Sequence, residues 1–238
     1  MTARPILFSA PMVRALLEGR KTQTRRVVKP FVADAFDFMG GGPGDREAET
    51  DDVEIRWAVS HDDNDKPVPI QWCAFSSEYP EEGCIPIGKG YGQPGDLLWV
   101  RESHAIVGNV DPGFVLYRAS GYEAECRRNG LENCPPEYAM RWSPSIHMPR
   151  WASRLTLRIT EVRVERLHSI STEDAIAEGV EIDVPAIDAS SARWVQGSVH
   201  IDRYARLWDE INGRGAWTTN PWVWALTFEV IQRNVDAP

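Results

Sequence analysis

Between residues 14 and 30 the chain reads Arg-Ala-Leu-Leu-Glu-Gly-Arg-Lys-Thr-Gln-Thr-Arg-Arg-Val-Val-Lys-Pro, and the side chains best suited to chemistry are concentrated there. Arg14, Arg20, Lys21, Arg25, Arg26 and Lys29 are opposed only by Glu18, inside a protein of net charge −9. A local reversal of sign this strong points to an anionic ligand. Thr22 and Thr24 add two hydroxyls to the same stretch. No glycine-rich phosphate loop follows a strand, so a nucleoside-triphosphate cradle of that kind is not expected.

The elements that must position these groups can be read on either side. Pro11 suits a first helical turn, Met12, Val13, Leu16 and Leu17 recur at helical spacing, and Gly19 supplies a left-handed cap. Lys21 to Val28 has the β-branched content of a strand, which Pro30 ends. From about 31 to 92 the pattern dissolves into an expected insertion with one short strand around Ile55 to Val59. Residues 34 to 65 there hold eleven acidic side chains, so the negative charge belongs to the insertion. Pro94-Gly-Asp96 is a turn before a strand from Leu97 to Glu102, and a second strand is expected through Phe114 to Arg118. Residues 119–141 and 183–199 read as two further insertions in a single domain spanning 1–238.

In the next strand, Leu155, Leu157 and Ile159 alternate, then Val162 and Val164 take over on even numbers. That phase change near Thr160 predicts a bulge or bend. Ser171-Thr-Glu-Asp174 opens a short helix to Glu178, closed by Gly179. Ile201, Tyr204, Ala205, Trp208 and Ile211 form an amphipathic stripe ending at Gly213, and Trp222 to Val230 is a final alternating strand. Short strands, few helices and a bulge together predict an α+β domain around a small β-barrel with flanking helices.

The bulk composition limits the alternatives. The acidic balance argues against a general nucleic-acid coat or a membrane-surface binder, and no apolar run is long enough to span a bilayer. The first residues lack the apolar core of a signal peptide, so a cytoplasmic protein is expected. Cys73, Cys84, Cys126 and Cys134 form no Cys-x-x-Cys pair and read as thiols in a reducing compartment. A zinc site built from some of them with His104 or His147 is the alternative. No cofactor is called for.

Taken in order, the motifs resemble a family. Gly19-Arg-Lys-Thr-Gln-Thr-Arg25 after a helix, Pro94-Gly-Asp-Leu-Leu-Trp-Val-Arg-Glu102, and Asp174-Ala-Ile-Ala-Glu-Gly179 after a strand resemble the ASCH domain. The amphipathic helix and Asn220-Pro-Trp-Val-Trp224 are similar to its larger phage and prophage members, which would place the protein in a host cytoplasm. The resemblance touches residues 5–30, 93–105, 142–181 and 200–232. It implies a PUA-like β-barrel with a cleft for RNA, a nucleotide or a modified nucleoside. Small bacterial members hydrolyse the amide of N4-acetylcytidine with a Lys, a Thr and a Glu. Carried over by motif, these are Lys21, Thr24 and Glu178. Other members are linked to RNA binding or ribonuclease activity, which gives two alternatives: a non-catalytic RNA or modified-base reader, and a ribonuclease using the same basic cleft.

Amide hydrolysis needs a nucleophile, a base and a stabiliser of the oxyanion. Thr24 is a weak nucleophile until a base takes its proton, and Lys21 is a base only when neutral; protonated, it is an oxyanion or phosphate clamp. Strand alternation would separate the two side chains unless Lys21 lies in the turn after Gly19. Glu178 ends a helix where the macrodipole disfavours negative charge, and Lys21 is the expected cationic partner. Arg20, Thr22, Arg25 and Arg26 are expected to tune or clamp. Arg101 and Glu102 either line the cleft or form an ordinary ion pair. His147-Met-Pro-Arg-Trp151 combines an imidazole, Arg150 and an indole. Trp151 either stacks a base while Arg150 or Arg154 meets a phosphate, or it packs into the core.

Overall fold

The computed structural model describes residues 3–39, 53–58, 66, 71–76, 83–108, 111–134, 136–181 and 192–237. In chain order the elements are β1 (Ala3–Leu7), α1 (Ala10–Leu17), β2 (Gln23–Val27), α2 (Pro30–Met39), β3 (Val53–Ala58), β4 (Gln71–Ser76), β5 (Ile85–Gly88) and β6 (Leu97–Arg101). There follow β7 (His104–Val107), β8 (Phe114–Tyr117), α3 (Tyr122–Arg128), β9 (Thr156–Arg166), α4 (Thr172–Ala177), α5 (Ala192–Asn212) and β10 (Trp222–Ile231). Helices and sheets are both well represented, and the class is α+β. The expected barrel is not closed. Among the described residues β1 pairs only with β6 and β2 only with β10, and a barrel needs every strand paired on both sides. The strands lie in open sheets.

Two compact units interleave along the chain: residues 1–22, 95–159 and 228–238 make the first, and residues 23–94 and 160–227 the second. Strand β9 passes from one to the other between Ile159 and Thr160, where its apolar phase changes.

In the first unit β1 pairs in parallel with β6, and β6 pairs antiparallel with β9. Leu98, Val100, Leu155, Leu157 and Ile159 are buried, and so are Val13, Ala15 and Leu16 on the inner face of α1. Gly19 adopts φ 71° after α1, so the chain reverses there without the steric cost a side chain would carry. Strands β7 and β8 form an antiparallel pair. The stretch expected as an insertion at 119–141 contains α3. Its Cys126 is bonded to Cys134, the two Cα atoms 6.3 Å apart, so these two are not thiols as expected.

In the second unit β10 pairs antiparallel with β2, in register from Val223 opposite Val27 to Thr227 opposite Gln23. Its strand order is β9-β10-β2, and β3-β4-β5 form a separate antiparallel sheet. Residues 31–92 are therefore more structured than their sequence suggests. Pro30 opens α2 rather than only closing β2, and Val32, Ala35 and Phe36 form a buried stripe one turn long. The expected short strand is β3. Strand β4 escaped the period-two pattern because Trp72, Cys73 and Ala74 are all buried. The same holds for β10, where Val223 and Ala225 are as buried as Trp222, Trp224 and Leu226. Trp222 lies 5.2 Å from Phe36 and donates its indole N–H to Asp37 at 2.8 Å. Leu167, Ile170, Ala175, Tyr204, Trp208 and Val223 form a core between α4, α5 and β10. Of the acidic stretch, Asp45, Glu47, Glu49, Asp51, Asp52, Asp62, Asp63 and Asp65 lie outside the described residues, as do residues 182–191.

Candidate functional site

The second unit concentrates its buried charge where β2 meets α4. Ser171 caps α4 by accepting the Asp174 N–H at 3.0 Å, as its sequence predicts. Seven residues after Ser171, Glu178 terminates the helix, its N–H bonded to the Asp174 carbonyl at 2.9 Å, and Gly179 turns the chain at φ 79°. Glu178 is thereby fixed at a helix end with its side chain inward, only 4 % exposed. A carboxylate at a helix C-terminus meets an unfavourable dipole, so burying it there requires partners. Two are visible within this unit: the Tyr204 hydroxyl of α5 donates to Glu178 Oε1 at 3.3 Å, and Arg25 Nη1 lies 3.6 Å from the same oxygen.

Arg25 is the centre of this cluster, its side chain wholly buried. Its Nε and Nη2 donate to Glu165 Oε1, Nη2 also donates to Asp174 Oδ2 at 2.7 Å, and Nη1 donates to Gln23 Oε1 at 2.5 Å. Gln23 turns its amide N–H to Asp174 Oδ1 at 3.0 Å, and Arg163 Nη2 reaches both Asp174 oxygens at 3.2 Å. Gln23 and Arg25 thus share the face of β2 that meets α4, while pleat alternation sends Thr24 to the other face. Arg25 is fully engaged by protein groups, so its role is to hold carboxylates.

The electrostatics follow from that arrangement. Burial works against the charge of Arg25, but Glu165, Glu178, Tyr204 and Asp174 outweigh it, and its pKa lies above the ordinary value. Burial pushes Asp174 upward, but the Gln23 hydrogen bond and the Arg25 and Arg163 guanidinium groups prevail and hold it below the usual carboxylate value. Tyr204 is pushed well above the ordinary phenol value, first by burial and then by Glu178, so its hydroxyl remains a donor at neutral pH.

Thr24 lies on β2, 4 % exposed, with Leu226 opposite it on β10. Arg26 is half-buried on the same strand. Lys21 belongs to the first unit and is 1 % exposed. It lies in the turn after Gly19, its N–H bonded to the Ala15 carbonyl at 3.0 Å, and β2 begins two residues later. Its Nζ is 5.7 Å from the centre of the Phe8 ring. Arg20 pairs with Glu18, and Thr22 is exposed with its carbonyl accepting from Phe228.

The remaining candidates are in the first unit. Glu102 forms an ion pair, but with Arg154 rather than Arg101, through bonds of 2.8 and 2.9 Å. Arg154 also stacks 4.0 Å from the centre of the Tyr117 ring. Burial keeps the Glu102 carboxyl above its usual pKa despite Arg154, and burial pushes the Tyr117 phenol up to about 12. Arg150 is held by Asp236 at 2.7 and 2.8 Å. Trp151 is 47 % exposed, so of its two expected placements the core is not the one adopted. His147 is exposed on the short 3-10 turn Ser145–His147. Among the described residues no group of three or more His, Cys, Asp or Glu is placed to hold a metal ion.

Reading the sequence alone overlooks Tyr204, Gln23, Glu165, Asp174 and Arg163 as site components. Tyr204 fits the apolar stripe of α5 and needs no further explanation there; Asp174 fits the cap of α4 equally well. Only tertiary structure shows that the polar atoms of both are used. Set against protein-family models, curated proteins and solved structures, the chain matches none of them.

Proposed function

We propose that the protein is an ASCH-type enzyme acting on a nucleoside, nucleotide or RNA base, most concretely by hydrolysing the amide of an N4-acylated cytidine. The observation that carries this reading is Glu178: a carboxylate buried at a helix end, given a hydroxyl donor by Tyr204 and a cation by Arg25. Nothing in packing α4 against α5 needs a carboxylate there, since an apolar residue would fill the place at lower cost. A buried acid maintained in this way is characteristic of a group that handles protons. Support also comes from the residue order resembling the family, and from the burial of Lys21 and Thr24, since lysine is seldom found fully inside.

The roles follow from the chemistry. Lys21, when neutral, acts as the base that activates a hydroxyl nucleophile, and Thr24 supplies that hydroxyl. Attack on the acyl carbon gives an ester and releases the exocyclic amine of cytidine, which takes up a proton as it leaves. Water then hydrolyses the ester to the free carboxylate. The resemblance assigns Glu178 the proton exchanged in these steps; because Arg25 holds it on the face of β2 opposite Thr24, that exchange runs through water. Arg25 and Tyr204 act by fixing Glu178, and Arg25 does not serve as a substrate clamp.

The test is incubation of the purified protein with N4-acetylcytidine, its deoxy form and a panel of RNAs, alongside Lys21→Ala, Thr24→Ala and Glu178→Gln. Acetate release by the wild type, lost in the three variants with melting curves intact, is the expected result. Binding without turnover that weakens with salt would replace the enzyme by a reader. RNA cleavage that survives all three substitutions would remove these residues from the mechanism.

A further inference from the structure

We propose that Arg101, His104 and His147 form a binding site for the phosphoryl group of a nucleotide. This deepens the nucleotide reading above and rests on it for the identity of the ligand.

The site is built by the backbone of the first unit. His104 of β7 exchanges two hydrogen bonds with Ser143, N–H to carbonyl at 3.2 Å and the reverse at 2.7 Å. That bridge lays the segment after Ser143 beside the β6–β7 corner. Arg101 then donates one terminal N–H to the Ile146 carbonyl and sets its guanidinium 5.4 Å from the centre of the Trp99 ring. His147 follows Ile146 directly, and the charges of Arg101 and His147 both act on the His104 ring.

These groups lack what they need. Arg101 Nε and His104 Nδ1 are both buried with no hydrogen-bond partner among the described residues, and His104 is only 3 % exposed. Buried polar atoms are almost always paired, and an orphan calls for a missing water, ion or ligand. Two orphans three residues apart, one of them on a guanidinium, favour an anion over a water. The neighbouring carboxylate does not answer the need, because Glu102 is bound in bidentate fashion by Arg154. The local field agrees: burial, and then the charges of Arg101 and His147, hold the His104 pKa below its ordinary value, although the Glu102 backbone, close to the ring but outside hydrogen-bond geometry with Nδ1, pulls it upward.

A phosphoryl group fits this set better than a carboxylate does. It offers three oxygens, one for the guanidinium and one for each imidazole, whereas a carboxylate has two. The half-exposed indole of Trp151, on the next 3-10 turn, offers a face on which the base of the same nucleotide can stack.

Isothermal titration calorimetry with inorganic phosphate, cytidine 5′-monophosphate and cytidine tests the site on the full chain. Phosphate and the monophosphate are expected to bind, and cytidine to bind at least about tenfold more weakly than its monophosphate. Arg101→Gln and His147→Ala should each weaken phosphate binding about tenfold. His147 is exposed, so His147→Ala keeps the test valid if Arg101→Gln fails to fold. Equal affinity for cytidine and its monophosphate, or phosphate binding unchanged in His147→Ala and in folded Arg101→Gln, would overturn the proposal. Hydrolysis of free N4-acetylcytidine is scored separately. Phosphate binding with no hydrolysis leaves this site standing and removes the enzymatic reading; hydrolysis with no preference for phosphate does the reverse.

Discussion

Tyr204 shows how much one atom can matter here. Its ring belongs to the core of the second unit, tilted against Trp208 and edge-on to Trp217 with centres 6.1 Å apart in each pair, and its hydroxyl alone reaches Glu178. Tyr204→Phe keeps the ring and removes the donor. It should lower stability by only about 1 kcal/mol, read as a shift in urea midpoint. It should lower kcat for amide hydrolysis about tenfold, because Glu178 loses the group that fixes its orientation. An unchanged kcat would mean that the hydroxyl serves packing alone. Lys21, Thr24 and Glu178 stand out as candidates in the sequence because a motif marks them. Tyr204 is not, because a tyrosine on an apolar stripe is already accounted for by its ring.

Among the elements, α4 and β2 hold the buried charge cluster together. Helix α4 is short and leans on its cap, so Ser171→Ala should cost about 1 kcal/mol in thermal or urea unfolding. Arg25 ties β2 to α4, and Arg25→Met leaves Glu165, Asp174 and Glu178 without their common cation. A loss of about 3–5 kcal/mol is expected, partly recovered when Asp174→Asn is added; no recovery would show that the charges are not what the substitution exposes. Caps and glycines made α1 and α4 readable from sequence, and alternation made β9 readable. Strand β4 and helix α2 were not, for opposite reasons. The first is buried on both faces and shows no period, while the second has one turn of stripe beside a glycine-rich run. The open sheets were also illegible, because closure depends on which edges pair and not on any residue's type.

For the whole molecule the strongest handle is acid. Asp174 has a folded pKa below its unfolded value of about 3.9, so the stability it contributes is present above that pH and is lost as pH falls through the folded value. Glu102, raised by burial, runs the other way, its cost relieved on protonation. The urea midpoint should therefore fall below about pH 4, and Asp174→Asn should flatten that fall while lowering stability at neutral pH. A variant that keeps the full acid limb would contradict the assignment. No helix among the described residues is long and apolar enough to cross a membrane.

Single-turnover release of acetate from N4-acetylcytidine tests the proton-handling role proposed for Glu178. Glu178→Gln preserves shape and the neighbours' packing while removing the exchangeable proton. The wild type is expected to release acetate, and Glu178→Gln to be slower by about 100-fold or more with its melting temperature within a few degrees of wild type. Equal rates in the two proteins, or no acetate from the wild type, would contradict it.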